Sequence, residues 1–290
     1  MRDHYQEVTT RILQQLELGV APWVKPWSTT PGQNIPGNAV TGRNYSGVNV
    51  ILLWLARERG WPTPKFLTFK QAQELGGHVR KGEHGIPVYY VSSFVPKAER
   101  DSENPRRATM MKVYTVFNVA QCEGLPETLL TKFQPVARHS DERDATADEF
   151  IAATGATVNE GGDSAYYSPG RDKVNLPAFE AFKSAAHYYG TAFHELIHWT
   201  GHKSRCDRDL RNRFGEKAYA AEELVAELGA AFLCAEFNVN GQLQHASYIA
   251  HWIELLKNDS KAFFTAASKA SKAIEFLRGV ISAEELQEAA

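Results

Sequence analysis

Cysteine is scarce in this 290-residue chain. Cys122, Cys206 and Cys234 are odd in number and too far apart for a CxxC device. That excludes a disulfide-framed secreted scaffold and fits structural thiols in a reducing, cytoplasmic setting. Long apolar runs are missing as well. Nothing approaches the ~18–20 residues needed to cross a bilayer, so no membrane partner is expected. The opening stretch MRDHYQEVTTRILQQLELG alternates charge with apolar residues and lacks the hydrophobic core of an export signal. It predicts instead an amphipathic helix with Tyr5, Val8, Ile12 and Leu16 on one face. No repeat of solenoid length, low-complexity tract, zinc ribbon, helix-turn-helix signature or P-loop is present. What remains is a globular chain of one large or two modest domains, and a hydrophobic content of 43% is enough for a sizeable core.

The net charge of −2 hides an asymmetry. Residues 1–135 hold 16 Lys/Arg against 11 Asp/Glu, whereas residues 136–290 hold 16 against 23. A basic half joined to an acidic half suggests two different tasks. Two prolines in 125–140 interrupt any regular pattern, which places a domain boundary near residue 135. Before it, GVNVILLWLARERG predicts a buried helix closed by Gly60, and TFKQAQELGG a helix capped by Thr68. PVYYVSSFV and MMKVYTVFNV predict the two strands of a hairpin around a polar tip at 99–107. After the boundary, SDERDATADEFIAATG predicts a helix with acidic residues in its first turns, where the dipole favours them. SAYYSPGRDKVNLP predicts a hairpin turning at Pro169–Gly170, followed by helices over 178–200, 218–237, 246–258 and 260–278.

The chemistry centres on AFHELIHWTGH. On a helix, His194 and His198 stand one turn apart on one face, so two imidazoles can reach one cation. Glu195, one position along, can act as general base toward a metal-bound water rather than as a ligand. Gly201 matches the glycine of the longer pattern HExxHxxGxxH, but Ser204 stands where its third histidine would be. His202 lies a further turn along the axis and substitutes only if the helix ends at Gly201. A better third ligand lies in KAYAAEELVAELGAAFLC. There Glu223 and Glu227 share a face of an apolar helix, and buried carboxylates need partners. By analogy with the ExxxD arrangement of thermolysin-like enzymes, Glu223 is the favoured ligand and Glu227 the alternative. The other is expected to hold a ligand histidine through its ring N–H, with Glu222 left for a solvent-facing position. Zn²⁺ suits such donors, and Mn²⁺ can occupy the same ones. By residue type alone, Tyr166, Tyr167, His187, Tyr219 and Tyr248 are candidates to steady an oxyanion. The segment 166–174 is a candidate edge for pairing with an extended peptide.

The basic half interleaves aromatics with cations: Trp23, Lys25, Trp27, Arg43, Tyr45, Lys65, Phe66, Phe69, Lys70, Arg80 and Lys81. Rings that stack bases beside cations that meet phosphates would make a sequence-tolerant single-strand surface. The same aromatics could equally form a core with cations around it. Gly42, Gly47, Gly76, Gly77 and Gly82 would allow close backbone approach.

Four segments, NAVTGRNYSGVNVILLW, FLTFKQAQELGGHVRKGEHGIPVYY, FHELIHWTGH and YAAEELVAELGAAFLCAEF, together resemble the ArdC-type antirestriction proteins, and in that family's order. The N-terminal module also resembles that of TraC-type plasmid primases. The resemblance implies an α+β fold of two domains. Residues 1–135 would form a single-stranded DNA-binding domain with a small antiparallel sheet, and 136–290 a mainly helical, zincin-like metallopeptidase domain. It implies an antirestriction protein of a mobile element that protects incoming DNA from host restriction. A host restriction component is a candidate protein substrate. Two alternatives stand beside it: a protein that shields DNA by occupancy while its metal site is structural or inactive, and a general cytosolic metallopeptidase with no DNA role.

Overall fold

In the computed structural model, Asp3 opens the first helix, α1 (His4–Glu17), by accepting from the backbone N–H groups of Tyr5 and Gln6. The structure describes residues 3–23, 35–56, 59–100, 104, 106–130, 142–208, 216–239 and 246–288. Contacts divide the chain into two units, residues 36–132 and residues 1–35 joined with 133–290. Against the sequence expectation of 1–135 and 136–290, the contacts leave 36–132 as one unit and pack the start of the chain with its end. The reason is apolar cover. Val8, Ile12 and Leu16 form a buried stripe, Thr9 Oγ1 donates to the Ser260 carbonyl at 2.8 Å, and Tyr5 packs edge-on against Phe264.

In the unit of residues 36–132, β1 (Gly37–Asn38), β2 (Lys65–Thr68), β4 (Ile86–Phe94) and β5 (Ala108–Asn118) form a sheet in the order β1-β2-β5-β4. Its pairs are antiparallel except for β1, which runs parallel to β2. Helix α2 (Val48–Ala56) is apolar except for Asn49, and every other residue of it is buried. It covers one sheet face through a cluster containing Leu53, Ala56, Phe66, Ile86, Val88 and Val116. Thr68 caps α3 (Phe69–Glu74) in a reciprocal capping box with Gln71. On the other face, Leu67, Ala72, Val119, Cys122 and Leu125 form a second cluster. The short strands β3 (His78–Val79) and β6 (Cys122–Glu123) pair beside it, before α4 (Glu127–Leu130). Gly77 is required there because a Cβ would stand 2.7 Å from the Glu123 carbonyl oxygen.

The second unit continues with α5 (Ala145–Ala153), capped by Asp144, and three strands, β7 (Thr157–Glu160), β8 (Tyr166–Ser168) and β9 (Lys173–Leu176). The expected hairpin is β8–β9, with Asp172 at φ +52° in its turn. The sheet order is β7-β9-β8, so β9 is central and only the β8 part of 166–174 is an edge. Sequence periodicity missed β7, which is four residues long and largely exposed. Helix α6 (Ala185–Thr200) begins later than 178 because Phe179–Ala181 makes a separate 3-10 turn and Ser184 caps the helix. Helices α7 (Glu216–Glu236), α8 (Ala246–Asn258) and α9 (Ala262–Glu288) complete the unit. No helix among the described residues is long and apolar enough to cross a membrane.

Candidate metal centre

Nearly every residue of α6 from Tyr188 to Thr200 is buried, because the helix has the small sheet on one side and α7 and α9 on others. Close approach to α7 depends on Gly229, where a Cβ would stand 2.7 Å from the Ile197 side chain. That contact brings the glutamates of α7 to the histidines of α6.

His194 Nε2 and His198 Nε2 lie 3.1 Å apart. Glu223 Oε2 is 3.4 Å from the first and Glu223 Oε1 3.4 Å from the second. Ligands placed ~2.0–2.1 Å from a tetrahedral ion stand about 3.3 Å from one another, and in the triangle of residues His194, His198 and Glu223 each Nε2 lies near that distance from the other and from one of the two Glu223 oxygens. Two imidazole nitrogens and a carboxylate, all buried, are also the donor chemistry of a divalent cation site. Glu227 sits behind instead, its Oε1 4.0 Å from His194 Nδ1. Glu223 is the carboxylate that faces both Nε2 atoms.

Glu222 does not face solvent as expected. Its Oε1 lies 3.2 Å from His198 Nδ1, and Arg208 donates to the same carboxylate from Nη2 at 2.9 Å and from Nε at 3.0 Å. Arg208 is itself buried and also donates to Thr200 Oγ1 and the Ile197 carbonyl. It therefore ties the end of α6 to α7 while aiming Glu222. Each of the two histidines is thus faced by a carboxylate behind it, Glu222 for His198 and Glu227 for His194, an arrangement that sets ring orientation and basicity. Sequence reasoning missed Arg208, since a lone arginine after a helix carries no periodic signal.

The electrostatics agree with a place built for positive charge. Burial alone would lower the His198 pKa, but hydrogen bonds to Glu222 and Glu223 override it and hold the imidazole up at about 10. Burial likewise acts to raise Glu223, and the two histidines outweigh it and keep the carboxyl ionised. Glu195, one residue past His194 and buried, adds its own charge to the field at His198.

Of the oxyanion candidates, Tyr219 lies at this site, one turn before Glu223 on α7. Its hydroxyl meets Tyr248 Oη at 2.7 Å. Burial, the Tyr248 hydrogen bond and the Glu223 charge all raise its pKa, so it stays protonated and able to donate. Tyr167 is committed to Asp172 and Arg205, and His187 Nδ1 to Oγ of Ser184, the residue that caps the start of α6. Tyr166 is exposed on the β8 edge. His202 turns away to Ser204 Oγ at 2.8 Å and is no ligand in this geometry.

The aromatic and basic candidates differ in burial and in partners. Trp23 is 1% exposed, packed against Trp252 and Phe263, and cannot stack a base. Lys25 and Trp27 lie outside the described residues. Phe66 is in the core, and the half-buried Tyr45 packs edge-on against it. Phe69, Lys70, Arg43 and Lys81 are exposed and Lys65 is half-buried. Lys70 is 3.4 Å from Glu74, and Arg80 2.7 Å from Glu83.

Comparison with known proteins covers both units. Residues 145–269 match the model of a zincin-like metallopeptidase, and residues 2–117 that of the N-terminal domain of anti-restriction factor ArdC. The uncharacterized protein y4eC of Sinorhizobium fredii is 38% identical over 95% of this chain and 91% of its own length. Two Escherichia coli DNA primases TraC are 38% and 36% identical over 94% of this chain, which spans only 27% and 20% of their lengths. The crystal structure of antirestriction protein ArdC from plasmid R388 superposes with a TM-score of 0.82 at 38% identity when metal-free. The covered shares are 97% of this chain and 98% of that one. The Mn(II)-bound form gives a TM-score of 0.80 at 39% identity. With both halves matched in order and a solved relative aligned almost end to end, the chain belongs to the ArdC antirestriction family and carries that family's zincin-like domain.

Proposed function

We propose that the protein protects incoming DNA from host restriction by holding single-stranded DNA through residues 36–132 and hydrolysing a peptide bond at the centre formed by His194, His198 and Glu223. The observation that carries the hydrolytic part is the convergence of His194 Nε2 and His198 Nε2, 3.1 Å apart, on the carboxylate of Glu223, whose two oxygens each lie 3.4 Å from one of them, beside the buried Glu195. The donor set suits Zn²⁺, with Mn²⁺ as a substitute. A divalent cation held there supplies Lewis-acid polarisation of the scissile carbonyl and lowers the pKa of water. Glu195 accepts the proton of the attacking water and returns it to the leaving amine. Tyr219 donates to the carbonyl oxygen as negative charge develops on it. The free edge of β8 aligns an extended peptide by backbone pairing. The substrate is a protein met on DNA, such as a host restriction component, in the cytoplasm of the recipient cell.

The DNA-binding part is supported by charge. Residues 36–132 hold 13 Lys/Arg against 8 Asp/Glu, while the rest of the chain holds 19 against 26. A basic unit suits a backbone-tracking, sequence-tolerant interaction.

The test compares wild type with Glu195→Ala in protection of incoming single-stranded and duplex DNA, with bound metal measured for both. Retained metal with lost protection supports the peptidase as the function. Retained metal with full protection would overturn it and leave DNA occupancy as the means of protection.

A further inference from the structure

The β4–β5 hairpin runs beyond the cover that α2 provides. Its nine pairs extend from Ile86↔Val116 to Phe94↔Ala108, and directly opposed residues share a face. On the face that starts with buried Ile86, Val88 and Val116, the side chains farther out become exposed. They are Tyr114 (48%), Tyr90 (55%), Met110 (37%) and Phe94 (45%). Lys112 stands directly opposite Tyr90, and Tyr114 is its next neighbour on the same face. Lys112 is exposed and makes no ion pair among the described residues.

A solvated sheet face ordinarily alternates to polar side chains, so a row of exposed rings marks a surface that is covered in use. Two facts point to what covers it. Neither strand contains Asp or Glu, and the unit that carries them has a net charge of +5 by the residue counts given above. An apolar protein partner would be served by aliphatic side chains as well as by tyrosines and would gain nothing from an unpaired lysine between them. A polyanion with flat apolar faces is complementary to both features.

We propose that this face of the hairpin is the platform on which single-stranded DNA stacks, with Tyr90 and Tyr114 each taking a base and Lys112 meeting the phosphate between them. The proposal rests on the single-strand reading above and moves its contacts away from the residues that sequence alone singled out. The two rings are diagonal neighbours, roughly 7–8 Å apart at Cα, which leaves a ring face for each base. Recognition through stacking and one phosphate contact is indifferent to base identity.

The experiment measures binding of a fluorescently labelled 30-nucleotide oligo-dT by anisotropy, using the full chain across a salt series. Tyr90→Ala and Tyr114→Ala should each weaken binding roughly tenfold, whereas the Phe variants, which keep the ring, should bind as wild type does. Lys112→Ala should reduce the salt slope by about 0.7. Circular dichroism of each variant separates a lost contact from a lost fold, and the Phe variants provide the comparison if an Ala variant unfolds. If wild type binds and the folded Ala variants bind equally well, the platform lies elsewhere and the proposal fails. If wild type does not bind at all, the single-strand reading itself fails. Reduced self-association in the variants with unchanged DNA affinity would assign the face to a second copy of the chain, again overturning the proposal.

Discussion

Glu222 Oε1 lies 3.2 Å from His198 Nδ1, so the residue next to Glu223 in sequence holds the side of the imidazole opposite the Nε2 that Glu223 faces. The relationship follows from helix geometry. Adjacent positions on α7 point about 100° apart, and α6 is close enough for Glu222 and Glu223 to straddle one imidazole. Replacing Glu222 with Ala frees the His198 ring and leaves Arg208 buried without its carboxylate. Metal affinity, measured by chelator competition, should fall roughly 10–100-fold, and thermal stability should fall with it.

Glu223 and Glu227 should separate cleanly in the same assay. Glu223→Gln removes the carboxylate that faces both Nε2 atoms and should abolish stoichiometric metal binding. Glu227→Gln leaves the triangle intact and should cost only about 10–100-fold, through the orientation of His194. Equal losses in the two variants would contradict the geometry.

Tyr219→Phe removes the hydroxyl, and with it the hydrogen bond to Tyr248, while keeping the ring. Metal content should match wild type, while kcat for a cleaved peptide falls about 10²–10³-fold with KM nearly unchanged, as for the loss of an oxyanion donor. A change confined to KM would give Tyr219 a role in substrate binding instead.

Gly229→Ala places a methyl group 2.7 Å from the Ile197 side chain. Overpacking of this kind costs about 1–3 kcal/mol, readable as a lower midpoint in urea. Ile197→Val in the same chain should restore part of the loss, because the two residues share one contact.

Trp23→Ala should destabilise the unit of residues 1–35 and 133–290 by roughly 3–5 kcal/mol, since the indole is fully buried against Trp252 and Phe263. DNA affinity of the folded fraction should stay at the wild-type level. Weakened DNA binding by a fully folded variant would restore Trp23 as a contact.

Local signals in the sequence carried far. The spacing of His194 and His198, the capping of α3 by Thr68, the apolar run of α2 and the alternation of β4 and β5 each depend on neighbours within a turn or a hairpin, so the sequence states them directly. The ranking of the α7 glutamates was harder. Leu224, Val225, Ala226 and Leu228 are buried along with Glu223 and Glu227, so no polar face marks which way a carboxylate points. The aromatics of the basic half misled for a related reason. Composition does not distinguish Trp23 and Phe66, which fill cores, from Tyr90 and Tyr114, which reach solvent.

The sequence by itself determined that two histidines and a glutamate share one helix turn, that a second helix supplies carboxylates, and that positive charge concentrates before residue 135. Those are properties of spacing and composition. Tertiary structure decided that Glu223 closes the triangle, that Glu222 and Arg208 brace it, that α1 belongs with α8 and α9, and that the hairpin face stays open. Each of these depends on how closely two distant segments approach. That distance is set by packing at contacts such as Gly229 against Ile197, which leave no mark on periodicity.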